Sequence, residues 1–214
     1  RSTLFPYTTL FRSMTARHRW TPETNMDIQQ RIGADICMQL DQCVGYPTKK
    51  EDVRASTQLS WEWARRCCDA HTRPDQALFA IAQGGMFLDL RLESARRLVE
   101  MDRESRSSGG KGFQGFGIGG YSVGEEHDVM FETLGQVTRA LPENMPRYLM
   151  GVGNPTTLVR AAREGVDMFD CVLPTRTGRM GTAFSSTGRM NLRNAKYARS
   201  EEHTSELQSH DCIS

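Results

Sequence analysis

Five short apolar runs alternate with longer stretches of helical periodicity, and this alternation constrains the chain more than any other feature. The runs are Ala34–Leu40, Leu78–Ile81, Gly115–Ile118, Arg147–Met150 and Val166–Leu173. Each is short, carries apolar residues on both parities, and ends in glycine or polar residues, the pattern of a strand buried on both faces. Between them lie the helices. Thr21-Pro22-Glu23 opens the first with a cap, an N1 proline and an acid, Met26, Ile28 and Ile32 supply its apolar positions, and Gly33 ends it. The second runs from about Lys50 to His71, with Val53, Leu59, Trp63 and Cys67 near helical spacing. A third, about Asp89 to Glu100, presents Leu92, Ala95, Leu98 and Val99. The polar, Gly/Ser-rich stretch Arg103–Gln114 reads as a flexible insertion. A fourth helix spans Glu125 to Leu141, with Val129, Met130, Leu134 and Val137 in phase. Asn154-Pro155 caps a fifth, with Leu158, Val159 and Ala162 inward and Gly165 as its stop.

Strict β/α alternation predicts an α/β protein with a parallel sheet covered by helices. Special residues at every strand's C-terminal end point to a (β/α)8 TIM barrel, incomplete here with about five βα units. An open doubly wound sheet ranks lower, because no G-x-G-x-x-G opens a helix. The strand ends would bring five clusters to one rim: Asp41, Gln83, Gly119-Gly120, Met150-Gly151 and Asp170. An acid, an amide and a Gly-Gly backbone suit the hydrogen-bonding edge of a heterocycle, and a second acid suits covalent chemistry. On pattern alone Asp170 is as readily a hydrogen-bonded structural acid as a nucleophile.

The net charge of +1 over 214 residues does not mark a nucleic-acid binder, but its distribution is uneven. Arg176, Arg179, Arg189, Arg193, Lys196 and Arg199 fall in the stretch from Cys171 to Arg199, which has no acid, a basic surface suited to phosphate or an ordinary solvated face. Six cysteines without a C-x-x-C pair read as reduced thiols of a cytoplasmic protein. The histidines show no metal spacing. No apolar run is long enough for a membrane span, and the first residues do not follow the layout of a secretory leader. Residues 3–13 and 199–209 resemble translated sequencing-library adapters, so 1–13 and 199–214 are set aside as non-native, leaving a partial barrel over 14–198.

From about His18 to Ala198 the chain resembles the tRNA-guanine transglycosylases, also called queuine tRNA-ribosyltransferases. The resemblance is carried by Gln83-Gly84, by Gly119-Gly120-Tyr121-Ser122-Val123-Gly124-Glu125 and by Tyr148-Leu149-Met150-Gly151-Val152-Gly153. It is carried most specifically by the run from Asp170 through Cys171-Val172-Leu173-Pro174-Thr175-Arg176-Thr177-Gly178 to Arg179, and continues in Asn191-Leu192-Arg193-Asn194-Ala195. It implies a TIM-barrel pentosyltransferase that exchanges guanine at the tRNA wobble position for a 7-deazaguanine. Asp170 would be the nucleophile, forming a covalent ribosyl intermediate with overall retention. Asp41 would meet the donor edge of the base, Gln83 and the backbone of Gly119, Gly120 and Tyr121 would complete its recognition, and Met150 would stack on it. Glu125 would accept from the base's aminomethyl group or set a peptide orientation. Cys43 and Val123 resemble the bacterial type, which takes 7-aminomethyl-7-deazaguanine. Gly151, Val152, Gly153, Asn154, Pro155, Thr156 and Thr157, with Thr175, Arg176, Thr177, Gly178 and Arg179, match segments that contact the tRNA anticodon loop.

The chain departs from the family in four ways. Tyr121 stands where Leu is expected, and Gln42 where Glu is usual. The family's general acid/base Asp belongs before His18, and its zinc site, C-x-C-x-x-C with a distant His, belongs beyond Ala198. The resemblance also implies a homodimer, a state in doubt for so short a barrel. A non-catalytic tRNA-binding or partner subunit, and a barrel glycosidase using Asp41 as second acid, are the competing readings.

Overall fold

The computed structural model describes residues 9–12, 17–121, 127–185 and 188–194. Val123, Glu125, Ala195, Ala198, Cys212 and most of the two adapter-like segments lie outside them. An antiparallel pair, β1 (Thr9–Arg12) and β2 (Arg17–Trp20), leads into α1 (Pro22–Ile32). Then follow β3 (Ile36–Met38), α2 (Lys50–Ala70), β4 (Ala77–Ala82), α3 (Leu88–Ser107), β5 (Gly115–Ile118), α4 (His127–Ala140), β6 (Arg147–Leu149), α5 (Pro155–Arg163) and β7 (Met168–Phe169). A short helix α6 (Leu173–Arg179) and an antiparallel pair, β8 (Thr182–Ser185) with β9 (Gly188–Asn191), complete the described chain.

Strands β3 to β7 form one parallel sheet in sequential order. Helices α1 to α5 pack each against the next. They therefore form a single layer on one face of the sheet, whereas a doubly wound fold would divide them between two faces. The sheet is a curled half-barrel. Its helix-facing side chains, Cys37, Leu78, Ala80, Ala82, Phe116, Ile118 and Leu149, join Ala64, Cys67, Ala95, Leu98, Met130, Leu134 and Val137 in one continuous core.

The opposite face shows why β5 reads Gly-x-Gly-x-Gly. Phe79 and Ile81 of β4 stand directly opposite Gly115 and Gly117. A β-carbon on Gly115 would collide with the Phe79 ring, and one on Gly117 would touch Met38, Ile81 and Met150. Large residues on one strand fill the space its neighbour leaves open, which packs a narrow barrel interior.

Sequence expectation and structure part in several places. The third helix runs on to Ser107, two turns past Glu100, because Asp102 and Arg106 pair across one turn and Asp102 also accepts from the Phe113 amide at 2.7 Å. The expected flexible insertion is thus mostly helix and an anchored turn. In α5 the buried residues are Thr157 and Ala161, while Val159 is 57% exposed and Ala162 is also exposed. Ile32 is exposed at the end of α1. The expected strand Val166–Leu173 contracts to Met168–Phe169, leaving Asp170 exposed just past its end. The expected loop after Pro174 is helix α6, with proline in its first turn.

Candidate active site

The residues expected at the rim form two groups, with Met150 between them. The first group lies beyond β3, β4 and β5. Gln83, buried at the end of β4, donates from Nε2 to Oδ2 of Asp41 at 2.5 Å. Its position depends on the two glycines beyond β5: a β-carbon on Gly119 would lie 2.6 Å from Gln83 Nε2, and one on Gly120 would strike Gln83 Oε1. Burial pushes the Asp41 carboxyl above its ordinary value, against the opposing pull of the Gln83 hydrogen bond. A carboxyl whose charge is poorly solvated is suited to accept hydrogen bonds from a bound donor. The Cys43 thiol shares these surroundings. Desolvation and the Asp41 charge raise its pKa, while Arg91, Gln83 and the Gly120 amide act in the opposite sense.

The second group lies beyond β6 and β7. Asp170 Oδ1 accepts from the Tyr148 hydroxyl and from the Gly151 amide, each at 2.7 Å. Gly151 adopts φ +74°, a left-handed conformation that aims this amide at the carboxylate without strain. Two donors on one oxygen leave Oδ2 as the oxygen presented outward. Burial, and then the neighbouring Asp170 carboxylate, raise the Tyr148 hydroxyl above its ordinary pKa, so it acts as a donor. The loop carrying Gly151 is seated on the loop that carries Asp170, since a β-carbon on Gly153 would overlap the Cys171 side chain. Asn154 then caps α5 by accepting from the Thr156 amide at 3.0 Å.

Met150 bonds through its amide to the Ile118 carbonyl and sends its sulfur toward Gly117 in the barrel interior. It thereby stands between the Asp41–Gln83 pair and Asp170.

The segments expected to contact RNA are more mixed than the sequence suggested. Gly151, Pro155, Thr156, Thr175, Arg176, Gly178 and Arg179 are exposed. Val152, Thr157 and Thr177 are buried, and the Thr177 hydroxyl turns back to the Leu173 carbonyl at 2.8 Å. These three residues shape the segment and do not line its surface. Arg176 and Arg179 lie in the last turn of α6, and the guanidinium of Arg193 reaches back to the Arg179 carbonyl. Arg189 on β9 is exposed as well, so the segment that follows Asp170 carries four exposed arginines.

Two site residues escaped the sequence reading. Tyr148 sits mid-strand in an apolar run, and only the parity linking it to Met150 and the barrel interior hinted at its direction. Arg91 lies on α3 among residues expected to be surface, yet it is fully buried. Among the described residues no group of three or more His, Cys, Asp or Glu could hold a metal. The described residues therefore do not fit the zinc set the resemblance implies.

A family model described as queuine tRNA-ribosyltransferase matches residues 7–212. The chain belongs to that family. Curated queuine tRNA-ribosyltransferases from Desulforamulus reducens and Pelotomaculum thermopropionicum are each 50% identical over 184 residues, which is 86% of this chain and 47% of theirs. The one from Ruminiclostridium cellulolyticum is 48% identical over 185 residues, with the same coverage. The chain thus spans about half the length of the curated relatives it matches. In this queuine tRNA-ribosyltransferase family member, among the described residues, no helix is long and apolar enough to cross a membrane.

Proposed function

We propose that these residues form the nucleophile and base-reading half of a tRNA-guanine transglycosylase, a pentosyltransferase that replaces wobble guanine with 7-aminomethyl-7-deazaguanine in queuosine biosynthesis. The observation that carries the proposal is the held carboxylate of Asp170. One oxygen is fixed by Tyr148 and Gly151, the other is free to face a ribose, and the Asp41–Gln83 pair lies on the same rim. Asp170 attacks the anomeric carbon and guanine departs with the bond's electron pair. The incoming base then displaces the carboxylate from the same carbon, so two inversions give retention. A carboxylate suits this step because the transition state carries positive charge at that carbon.

Guanine presents an N–H and an amine side by side, an edge that suits a carboxylate acceptor such as Asp41. Gln83 supplies an amide, the Gly119-Gly120-Tyr121 backbone supplies the remaining polar groups, and Met150 offers an apolar face. Cys43 borders the pocket where a 7-substituent would lie. The basic surface of Arg176, Arg179, Arg189 and Arg193 suits the anticodon loop, whose splayed bases cost less to extrude than duplex bases.

The Gln83 amide bound to Asp41 favours this reading over a sugar-only glycosidase, which has no use for it. Retention of both acids with Gln83 favours it over a passive partner subunit. The general acid/base, the zinc ligands and the homodimer contacts are assigned to parts of the family fold beyond residues 14–198, and the cellular location to the cytoplasm. Residues 1–13 and 199–214 are assigned as foreign to the fold, although the family-model match extends over 7–212.

Labelled guanine exchange into tRNA tests the proposal. The intact gene product should exchange, Asp170→Ala should abolish exchange, and residues 1–214 alone should not exchange. Activity surviving Asp170→Ala would sink the nucleophile role, and exchange by residues 1–214 would sink the assignment of the acid/base elsewhere.

A further inference from the structure

Among the described residues Arg91 is the largest charged side chain that is fully buried. It leaves α3 and reaches two strand-end loops at once. Nε donates to the Gly85 carbonyl beyond β4, and Nη1 donates to the Gly119 carbonyl beyond β5 at 3.0 Å. Its guanidinium carbon lies 3.4 Å from the centre of the Tyr121 ring, and the Tyr121 hydroxyl is tied to Thr133 at 2.6 Å. Burying a guanidinium is costly unless it is compensated, and here two backbone carbonyls take Nε and Nη1 while the ring stacks on its face.

The consequence falls on one peptide unit. The Gly119 amide is bonded to the Ala82 carbonyl at 3.0 Å, so the start of the turn is fixed to β4. Arg91 fixes its carbonyl from the other side. A peptide is planar and trans, so its C=O and N–H point in opposite directions. With the Gly119 oxygen drawn to Arg91, the Gly120 N–H must point away from Arg91. On that side lies Gln83, whose Oε1 is the nearest atom to where a Gly120 side chain would stand and whose Nε2 holds Asp41. Gly120 holds φ +70°, and a side chain there would collide with Gln83.

We infer that Arg91 is a positioning residue for base recognition: it clamps the Gly119–Gly120 peptide so that the Gly120 N–H is offered to the exocyclic oxygen of a 6-oxopurine whose donor edge meets Asp41. The inference rests on the base-reading role proposed above. Arg91 touches no base. It acts through the backbone, and lysine cannot replace it because one ammonium group cannot serve two carbonyls while stacking on Tyr121.

The test uses residues 1–214 with glycines labelled in the carbonyl carbon and amide nitrogen, as wild type, Arg91→Lys and Arg91→Gln. The second substitution is carried in case the first does not fold, and the remaining glycine resonances report folding. In the free protein, Gly119 carbonyl and Gly120 amide resonances should shift in both variants, and the Gly120 amide should exchange with solvent at least about tenfold faster. Guanine affinity should fall about tenfold or more, while affinity for 2-aminopurine, which lacks the oxygen, should change less than about twofold. Equal losses for both bases, or an unmoved Gly119 carbonyl, would overturn the inference. If wild type binds no guanine while the resonances still shift, the base-reading proposal fails and the clamp itself is upheld.

Discussion

Replacing Gly119 with alanine separates packing from base reading. Its β-carbon would lie 2.6 Å from Gln83 Nε2 and 2.9 Å from Ile81 Cγ2. To reach ordinary contact the Gln83 amide must retreat by about 0.8 Å. Its bond to Asp41 is only 2.5 Å long and Gln83 is 2% exposed, so no water stands ready to replace a lost partner. A broken bond to a buried carboxyl costs about 1–3 kcal/mol. Crowding of Ile81 adds about 1 kcal/mol, and the stiffer unfolded chain returns roughly 0.4–1 kcal/mol. The net expectation is a loss of about 2 kcal/mol in urea unfolding, with guanine affinity at least tenfold weaker. Gly115→Ala is the control. It lies on the same face of the same strand, its β-carbon meets the Phe79 ring, and it touches no site residue. It should lose about 1–3 kcal/mol of stability and keep guanine affinity within about twofold. Unchanged stability in Gly119→Ala, or base binding lost equally in both variants, would refute the reasoning.

Three further outcomes follow from the electrostatics. Tyr148 should ionise above the ordinary phenol range when followed by its absorbance near 295 nm, and Asp170→Asn should bring it down; no change in that variant would break the assigned contact. Glu23 is held down to about 2, first by its paired bonds to Arg66, each 2.7 Å. A depressed acid stabilises the fold above its unfolded pKa and loses that contribution as pH falls through its folded pKa. Glu23→Gln should therefore cost about 0.5–1 kcal/mol near neutrality, discounted for exposure, and the gap should close between about pH 4.5 and 2. A gap unchanged with pH would contradict it. Asp41 has the opposite sign: a raised acid costs stability once the unfolded chain ionises, so Asp41→Asn should gain on wild type as pH rises above about 4. Parallel pH profiles of the two proteins would count against that assignment.

The sequence made the sheet legible because its strands are apolar on both faces and its helices carry clear caps. Thr21 and Asn154 accept at their helix starts, and Gly33 takes the left-handed cap that ends α1. What it hid were decisions made by tertiary contacts. Helix α3 outlasts its apolar stripe because Asp102, a polar residue, is buried against Arg106 and the Phe113 amide. Arg91 has a surface residue's chemistry and a core residue's place, since its partners are carbonyls that have no sequence signature. Asp170 looked like part of a buried strand, yet the pairing with β6 stops at Phe169. The glycines of β5 could have been read from spacing: alternate positions 115, 117 and 119 are the face that Phe79, Ile81 and Gln83 fill.

The central claim is that Asp170 carries the ribose between two bases. The most direct measurement is a denaturing gel and peptide mass map after the intact gene product meets a guanine-containing anticodon stem-loop. The account predicts an RNA–protein adduct, released on adding guanine or a 7-deazaguanine, mapping to the peptide that bears Asp170 and absent in Asp170→Asn. An adduct that persists in that variant, or base exchange with no adduct at any time, would contradict it.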